Sequence, residues 1–287
     1  WQNFSFIPSW RTDDIMISYA LQGGSVGKHF DQYDVFLVQG GGQRRWQLGE
    51  FCDKDSPLVA NTPLRILADM PVTFDEVVNA GDLLYVPPRL AHYGVAENDC
   101  LTFSFGFRAP ALAHALERLV DVALEHTGTE SLYSDAQLTA HTHSAWLNPQ
   151  HLQDLQQQIL SLLSNPDILS TALAPFLSEP KYDDYEAMGE EIDPEELITR
   201  LQQGTIICRD PASRFVYVGE QGQAQQLYIN GEEIEPSEFH AKADFMALLA
   251  DNCQLTWDEL KSHLADHDTI NWLCDQLSAG FWLLLED

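Results

Sequence analysis

The sequence has 287 residues, is 45% apolar, and carries 44 acidic against 15 basic side chains, a formal net charge of −29. That length builds one to three domains with a real core. The charge argues against direct affinity for a phosphate backbone and favours a basic protein partner, although acidity of this kind also serves solubility alone or a salty habitat. No apolar run approaches the ~20 residues that cross a bilayer, and no secretory signal opens the chain, so a cytoplasmic protein without membrane contact is expected.

The sequence starts at Trp1 rather than Met, which reads as a processed, trimmed or truncated product. Its five cysteines, Cys52, Cys100, Cys208, Cys253 and Cys274, are odd in number and form no CxxC pair. Scattered reduced thiols fit that pattern better than a disulfide frame or a zinc site.

Residues 1–110 alternate short apolar runs with turn signals, the pattern of an all-β barrel or sandwich. Asp14–Ala20 reads as a strand, 23–27 as a glycine loop, and 29–38 as a second strand. Gly40-Gly41-Gly42 then predicts a hairpin into Gln43–Leu48, on which Arg44 and Trp46 share one face and Arg45 takes the other. Arg65–Leu67, Asp82–Val86 and Leu101–Phe107 are further expected strands.

From Pro110 the period becomes helical. Leu112, Leu116, Leu119 and Ala123 recur at helical spacing with Gly128 as the stop; Asn148-Pro149 opens a second helix with Leu152, Leu155, Ile159 and Leu162 in one stripe; a third covers about 167–177. Such stripes serve packing within the chain or a dimer interface equally well. Residues 178–193 are acidic and aperiodic, a linker. Beyond it come a short helix capped by Asp193, three β segments with the hairpin turn Asn230-Gly231, helices that include the capping box Thr256–Glu259, and a terminal strand. This order is that of a winged-helix module. Twenty-four Asp and Glu against six Lys and Arg from residue 179 onward argue against nucleic acid on that face. The fold class is therefore α+β, divided as 1–110 (barrel), 111–178 (helical segment) and 179–287 (linker and winged-helix-like domain).

In an extended segment residues i and i+2 share a face, so His29 and Asp31 can grip one ion. His92 closes the motif G-x5-P-x4-H that runs from Gly81, in which glycine admits a tight turn and Pro87 stiffens the strand end. Two histidines and one carboxylate are the facial ligand set of a non-haem Fe(II) oxygenase. His141 and His143 lie in a loop without a carboxylate, and His263 and His267 lack a third ligand.

Arg44 separates reaction classes. Fifteen residues after His29, it is expected deep in the barrel, where a guanidinium needs an anion. A dicarboxylate that chelates iron at one end and meets the arginine fork at the other has the shape of 2-oxoglutarate; pairing with Asp34 or Glu50 is the plain alternative. Ser18 and Ser104 could donate to the same carboxylate or bond locally within their strands. Tyr33 has the parity of His29 and Asp31, which points to the substrate side chain or to core packing.

The run from His29 to Phe36, Arg44, the run from Gly81 to Pro88 with His92, and Leu101-Thr102-Phe103-Ser104 resemble the JmjC ribosomal oxygenases of the cupin superfamily. Within them the likeness is to the bacterial branch that hydroxylates an arginine of a large-subunit ribosomal protein. It extends over essentially the whole chain, to Gly280-Phe281-Trp282. The resemblance implies a double-stranded β-helix barrel, a helical segment that forms a homodimer and a winged-helix-like tail. It implies Fe(II) on His29, Asp31 and His92, and the distal carboxylate of 2-oxoglutarate on Arg44 with Ser104 and Ser18 assisting. Histidine hydroxylation and demethylation are the alternatives within the JmjC class, and a metal-binding cupin without 2-oxoglutarate chemistry is the alternative outside it. Family members carry an N-terminal segment that this sequence lacks, and Arg89 stands where related cupin motifs usually have glycine.

Overall fold

The structure is a computed structural model that describes residues 1–128, 132–135, 142–181, 188–234 and 242–285. His141 and the centre of the expected linker, 182–187, lie outside the described residues. Contacts divide the chain into two compact units: Arg11–Ala109, and Trp1–Trp10 together with Pro110–Asp287.

The unit Arg11–Ala109 is built from β1 (Thr12–Ala20), β2 (Asp34–Gly41), β3 (Gln43–Phe51), β4 (Phe74–Asn79), β5 (Leu83–Val86), β6 (Leu90–Ala96) and β7 (Cys100–Phe107). They form two antiparallel sheets, in the orders β1-β7-β2-β5 and β4-β3-β6. Alternation puts Val35 and Leu37 of one sheet against Trp46 of the other, with Val86 completing the buried core. Each such side chain contributes roughly 1.5–3 kcal/mol through the apolar surface it buries.

Three expectations are corrected here. The strand expected over 29–38 begins only at Asp34; before it, His29 makes one isolated bridge to His92, and the chain bends at Gln32 and Tyr33. The predicted hairpin of β2 and β3 does not form, because β2 pairs with β5 and β7 while β3 pairs with β4 and β6. The glycines turn a corner between the sheets instead: Gly42 sits at φ 65°, and a Cβ there would lie 2.2 Å from the carbonyl of Asp99. Arg65–Leu67 forms no strand, only the bridge Leu58–Leu67. Strands β4 and β6 were not anticipated, and β6 carries His92.

In the other unit, α1 (Leu112–Thr127), α2 (Pro149–Leu163) and α3 (Pro166–Ser178) follow the predicted stripes. Asn148 and Asn165 cap α2 and α3 by accepting from the N–H groups of Gln150 and Asp167, each with proline at the first helical position. Helix α3 packs against α1 and against β9 (Phe215–Glu220) and β10 (Gln223–Ile229). The stripes of α1 and α2 stay open in the single chain, with Leu116 54% and Ile159 48% exposed.

Helix α4 (Pro194–Gln202) starts at Asp193, whose carboxylate accepts from the N–H groups of Glu195 and Glu196. Strand β8 (Ile206–Arg209) lies between β12 (Gln254–Leu255) and β13 (Trp282–Leu285). Asn230 (φ 52°) and Gly231 (φ 90°) turn β10 into β11 (Glu232–Glu233), as a two-residue hairpin loop with both residues left-handed requires. Helices α5 (Ala243–Asp251), α6 (Trp257–Leu260) and α7 (His267–Ser278) close the core around Leu201, Ile207, Phe245, Leu273 and Trp282. The capping box at α6 is present, with the Glu259 carboxylate accepting from the Thr256 N–H at 2.8 Å.

Candidate metal centre

His29 and Asp31 lie on an irregular extended segment, and His92 on β6. The segment is held to β6 by backbone: the His29 and His92 amides donate to each other's carbonyls at 3.0 and 2.8 Å. Farther along, the Arg89 amide donates to the carbonyl of Asp31 at 2.6 Å. One ligand atom from each of His29, Asp31 and His92 comes within 4.8 Å of the other two. The imidazole centroids are 4.2 Å apart, and His92 Nε2 is 3.6 Å from Asp31 Oδ2.

Both histidines are oriented in the same way. Nδ1 of His29 lies 2.9 Å from the carbonyl of Gly27, and Nδ1 of His92 lies 3.0 Å from that of Leu90. A carbonyl only accepts, so Nδ1 carries the hydrogen and Nε2 keeps its lone pair for an ion. Burial, and then the neighbouring His29, push His92 below the ordinary histidine pKa, which keeps it in the neutral, ligating form. Two imidazoles and a carboxylate converging on one point suit a divalent first-row metal.

Arg44 is buried on the inner face of β3, opposite Ala96 of β6. Its Nε has no hydrogen-bond partner, and its guanidinium lies 5.7 Å from the centroid of the Trp46 ring. The protein acids considered as partners are not in place. Asp34 is taken by Arg11 at 2.7 Å and by the Tyr85 hydroxyl at 2.6 Å, and Glu50 is exposed. A buried guanidinium without a counter-charge is costly, so the chemistry of the pocket calls for an anion from outside.

Ser104 faces inward on β7, buried, with no side-chain hydrogen bond among the described residues. Ser18 on β1 donates to the carbonyl of Thr102 at a long 3.5 Å. Tyr33 packs against the core of Val35, Leu37, Trp46 and Val86. His263 lies 5.0 Å from the Phe245 ring, and His267 opens α7; neither joins a three-ligand cluster among the described residues.

Comparison with known proteins places this geometry. Residues 1–115 match the JmjC domain family, and residues 138–283 match the ROXA-like winged helix. A probable ribosomal oxygenase of Haemophilus influenzae is 35% identical over 305 residues, covering 100% of this chain and 74% of that protein. The chain belongs to the JmjC ribosomal oxygenases. The ribosomal protein uL16 3-hydroxylase of Escherichia coli is 31% identical, covering 97% of this chain and 72% of its own length. The solved structure of the Escherichia coli ribosomal oxygenase YcfD in complex with cobalt and 2-oxoglutarate superposes with a TM-score of 0.76 at 30% identity, covering 99% of this chain and 73% of that one. Like other members, this ribosomal oxygenase thus has a JmjC cupin domain followed by a winged-helix domain.

The sequence did not single out Trp46 as part of the site. Its ring lies 6.0 Å from that of His92, it covers Gly94, where a Cβ would meet it at 2.7 Å, and its Nε1 is a second buried donor without a partner. Shared parity with Arg44 was the one signal available.

Proposed function

We propose that this chain is a 2-oxoglutarate- and Fe(II)-dependent oxygenase that hydroxylates an arginine side chain of the large-subunit ribosomal protein uL16. The observation that carries it is Arg44: a buried guanidinium whose Nε lacks any partner, in the same barrel as a two-histidine, one-carboxylate cluster. A cupin that merely stores a metal has no use for that cation. Relatives named for ribosomal oxygenation and for uL16 3-hydroxylation support the reaction and the substrate class.

In this reading His29, Asp31 and His92 hold the iron, Arg44 receives the distal carboxylate of 2-oxoglutarate, and Ser104 and Ser18 add hydroxyl donors. When bound, the iron and its co-substrate supply the oxidising power that puts a hydroxyl on an unactivated carbon. The protein's part is orientation. The two Nδ1–carbonyl contacts fix the imidazoles, and the inner face of β3 holds the arginine fork before the co-substrate arrives. Tyr33, two residues after Asp31, packs against the core of Val35, Leu37, Trp46 and Val86, which favours a packing role over contact with the substrate side chain.

Residues 1–110 are the catalytic part, 111–178 the helical segment that forms a homodimer through its open stripes, and 179–287 the linker and winged-helix-like part. A strongly acidic enzyme attracts a basic ribosomal protein and repels free nucleic acid. In this reading the enzyme works on a ribosomal protein in the cytoplasm; no helix among the described residues is long and apolar enough to cross a membrane.

The test is incubation with uL16, Fe(II) and 2-oxoglutarate, followed by mapping of added oxygen by tandem mass spectrometry. Oxygen on an arginine is the expected result. Oxygen on histidine, or loss of a methyl group, would reassign the substrate, and no turnover of 2-oxoglutarate would return the chain to the metal-binding cupins.

A further inference from the structure

Because Asp31 sits outside any strand, something other than a ladder has to fix it against His92. Residues 52–73 connect β3 to β4. From this loop Leu67 and Met70, 3% and 4% exposed, form a small core with Ala91, and Phe30, Cys52 and Tyr93 pack around it. This cluster is separate from the core inside the barrel.

Its membership follows the ligands. Phe30 lies between His29 and Asp31 in sequence, while Ala91 and Tyr93 flank His92. On β6 the residues next to His92 point to the opposite face from it, and Phe30 packs into the same cluster as they do, so Leu67 and Met70 touch neighbours of all three ligands. Backbone bonds tie the same pieces. The Leu67 amide donates to the carbonyl of Lys28 at 2.8 Å, and the Cys52 amide donates to the carbonyl of Arg89, whose own amide holds Asp31. The fit is close: a Cβ on Gly49 would lie 2.6 Å from Met70 Cγ, and one on Gly27 would lie 2.8 Å from Ile66 Cδ1.

We infer that the loop 52–73 is a buttress for the metal centre, with Leu67 and Met70 as positioning residues that press the His29–Asp31 segment onto β6. The inference rests on the metal-binding reading above. Without the buttress, the segment keeps one bridge to β6 and the Arg89 amide, and Asp31 can swing away from the two imidazoles.

Co(II) is the probe. Titration of the whole chain, followed by visible absorption, gives both affinity and coordination geometry without turnover. Native protein that takes up no Co(II) would overturn the metal reading itself, and the buttress with it. Given native binding, Leu67→Ala is expected to weaken Co(II) by about tenfold or more, in the range seen when the support of a ligand is removed, and to alter the absorption bands; Leu67→Met should restore both. Leu37→Ala empties a comparable volume of the inner core on β2, a strand that carries none of the three ligands. It should lower the unfolding midpoint yet leave Co(II) affinity within about twofold of native. Should Leu67→Ala fail to fold, Met70→Ala carries the same expectation. Native-like Co(II) binding by the loop variant, or an equal loss in Leu37→Ala, overturns the positioning role.

Discussion

His29 and His92 exchange both backbone hydrogen bonds, at 3.0 and 2.8 Å, although they lie 63 positions apart in the chain. The bridge is made by main chain, so it does not depend on the imidazoles. We therefore expect His92→Ala to keep the far-ultraviolet circular dichroism of the native protein while metal binding falls below detection and 2-oxoglutarate turnover stops. A variant that still bound Co(II) with native affinity would remove His92 from the ligand set.

Arg44 offers a test in which stability and binding move in opposite directions. Replacing a buried, unpaired guanidinium by an apolar chain of similar length removes a desolvation cost. Arg44→Met should raise the urea-unfolding free energy of the protein without 2-oxoglutarate by about 1 kcal/mol or more, and its midpoint with it. The same change should weaken 2-oxoglutarate by at least roughly tenfold in calorimetry, since a hydrogen bond to a charged group is worth about 1.5–3 kcal/mol. Loss of stability with unchanged co-substrate binding would mean that Arg44 serves the fold alone.

Arg89 has φ 67°, in the left-handed region that a non-glycine residue enters at a cost of roughly 1–2 kcal/mol. Its backbone contacts to Asp31 and Cys52 need no side chain. Arg89→Gly should relieve that cost, part of which is offset by about 0.5–1 kcal/mol of extra chain entropy in the unfolded state. An unfolding midpoint at or above that of the native protein, with unchanged Co(II) affinity, is the expected outcome. A lower midpoint would show that the arginine side chain contributes more than its backbone strain costs.

The open stripes of α1 and α2 predict self-association. Sedimentation at micromolar concentration should give a homodimer. Leu155→Asp, which would strand a charge in an apolar contact, should shift it to monomer without loss of helix content. Leu155 is 41% exposed in the single chain, so the substitution has little to disturb there. A native monomer would assign these stripes to another partner.

Much of this protein was legible in the sequence because its signals are local. The spacing of His29 and Asp31, the motif from Gly81 to His92, the shared parity of Arg44 and Trp46, and the caps at Asn148, Asp193 and Thr256 each depend on a few neighbouring residues. What the tertiary structure decided was non-local. Three glycines announce a turn, but whether β2 and β3 then pair or part into two sheets depends on β5, β6 and β7 offering their edges from distant parts of the chain. Likewise, Asp34 is engaged by Arg11 and Tyr85 rather than by Arg44, and the Leu67 amide is tied to the carbonyl of Lys28, next to His29. Competition among partners far apart in the chain leaves no periodicity to read, so the anion-seeking Arg44 was visible in the sequence as a candidate and became unpaired only in the fold.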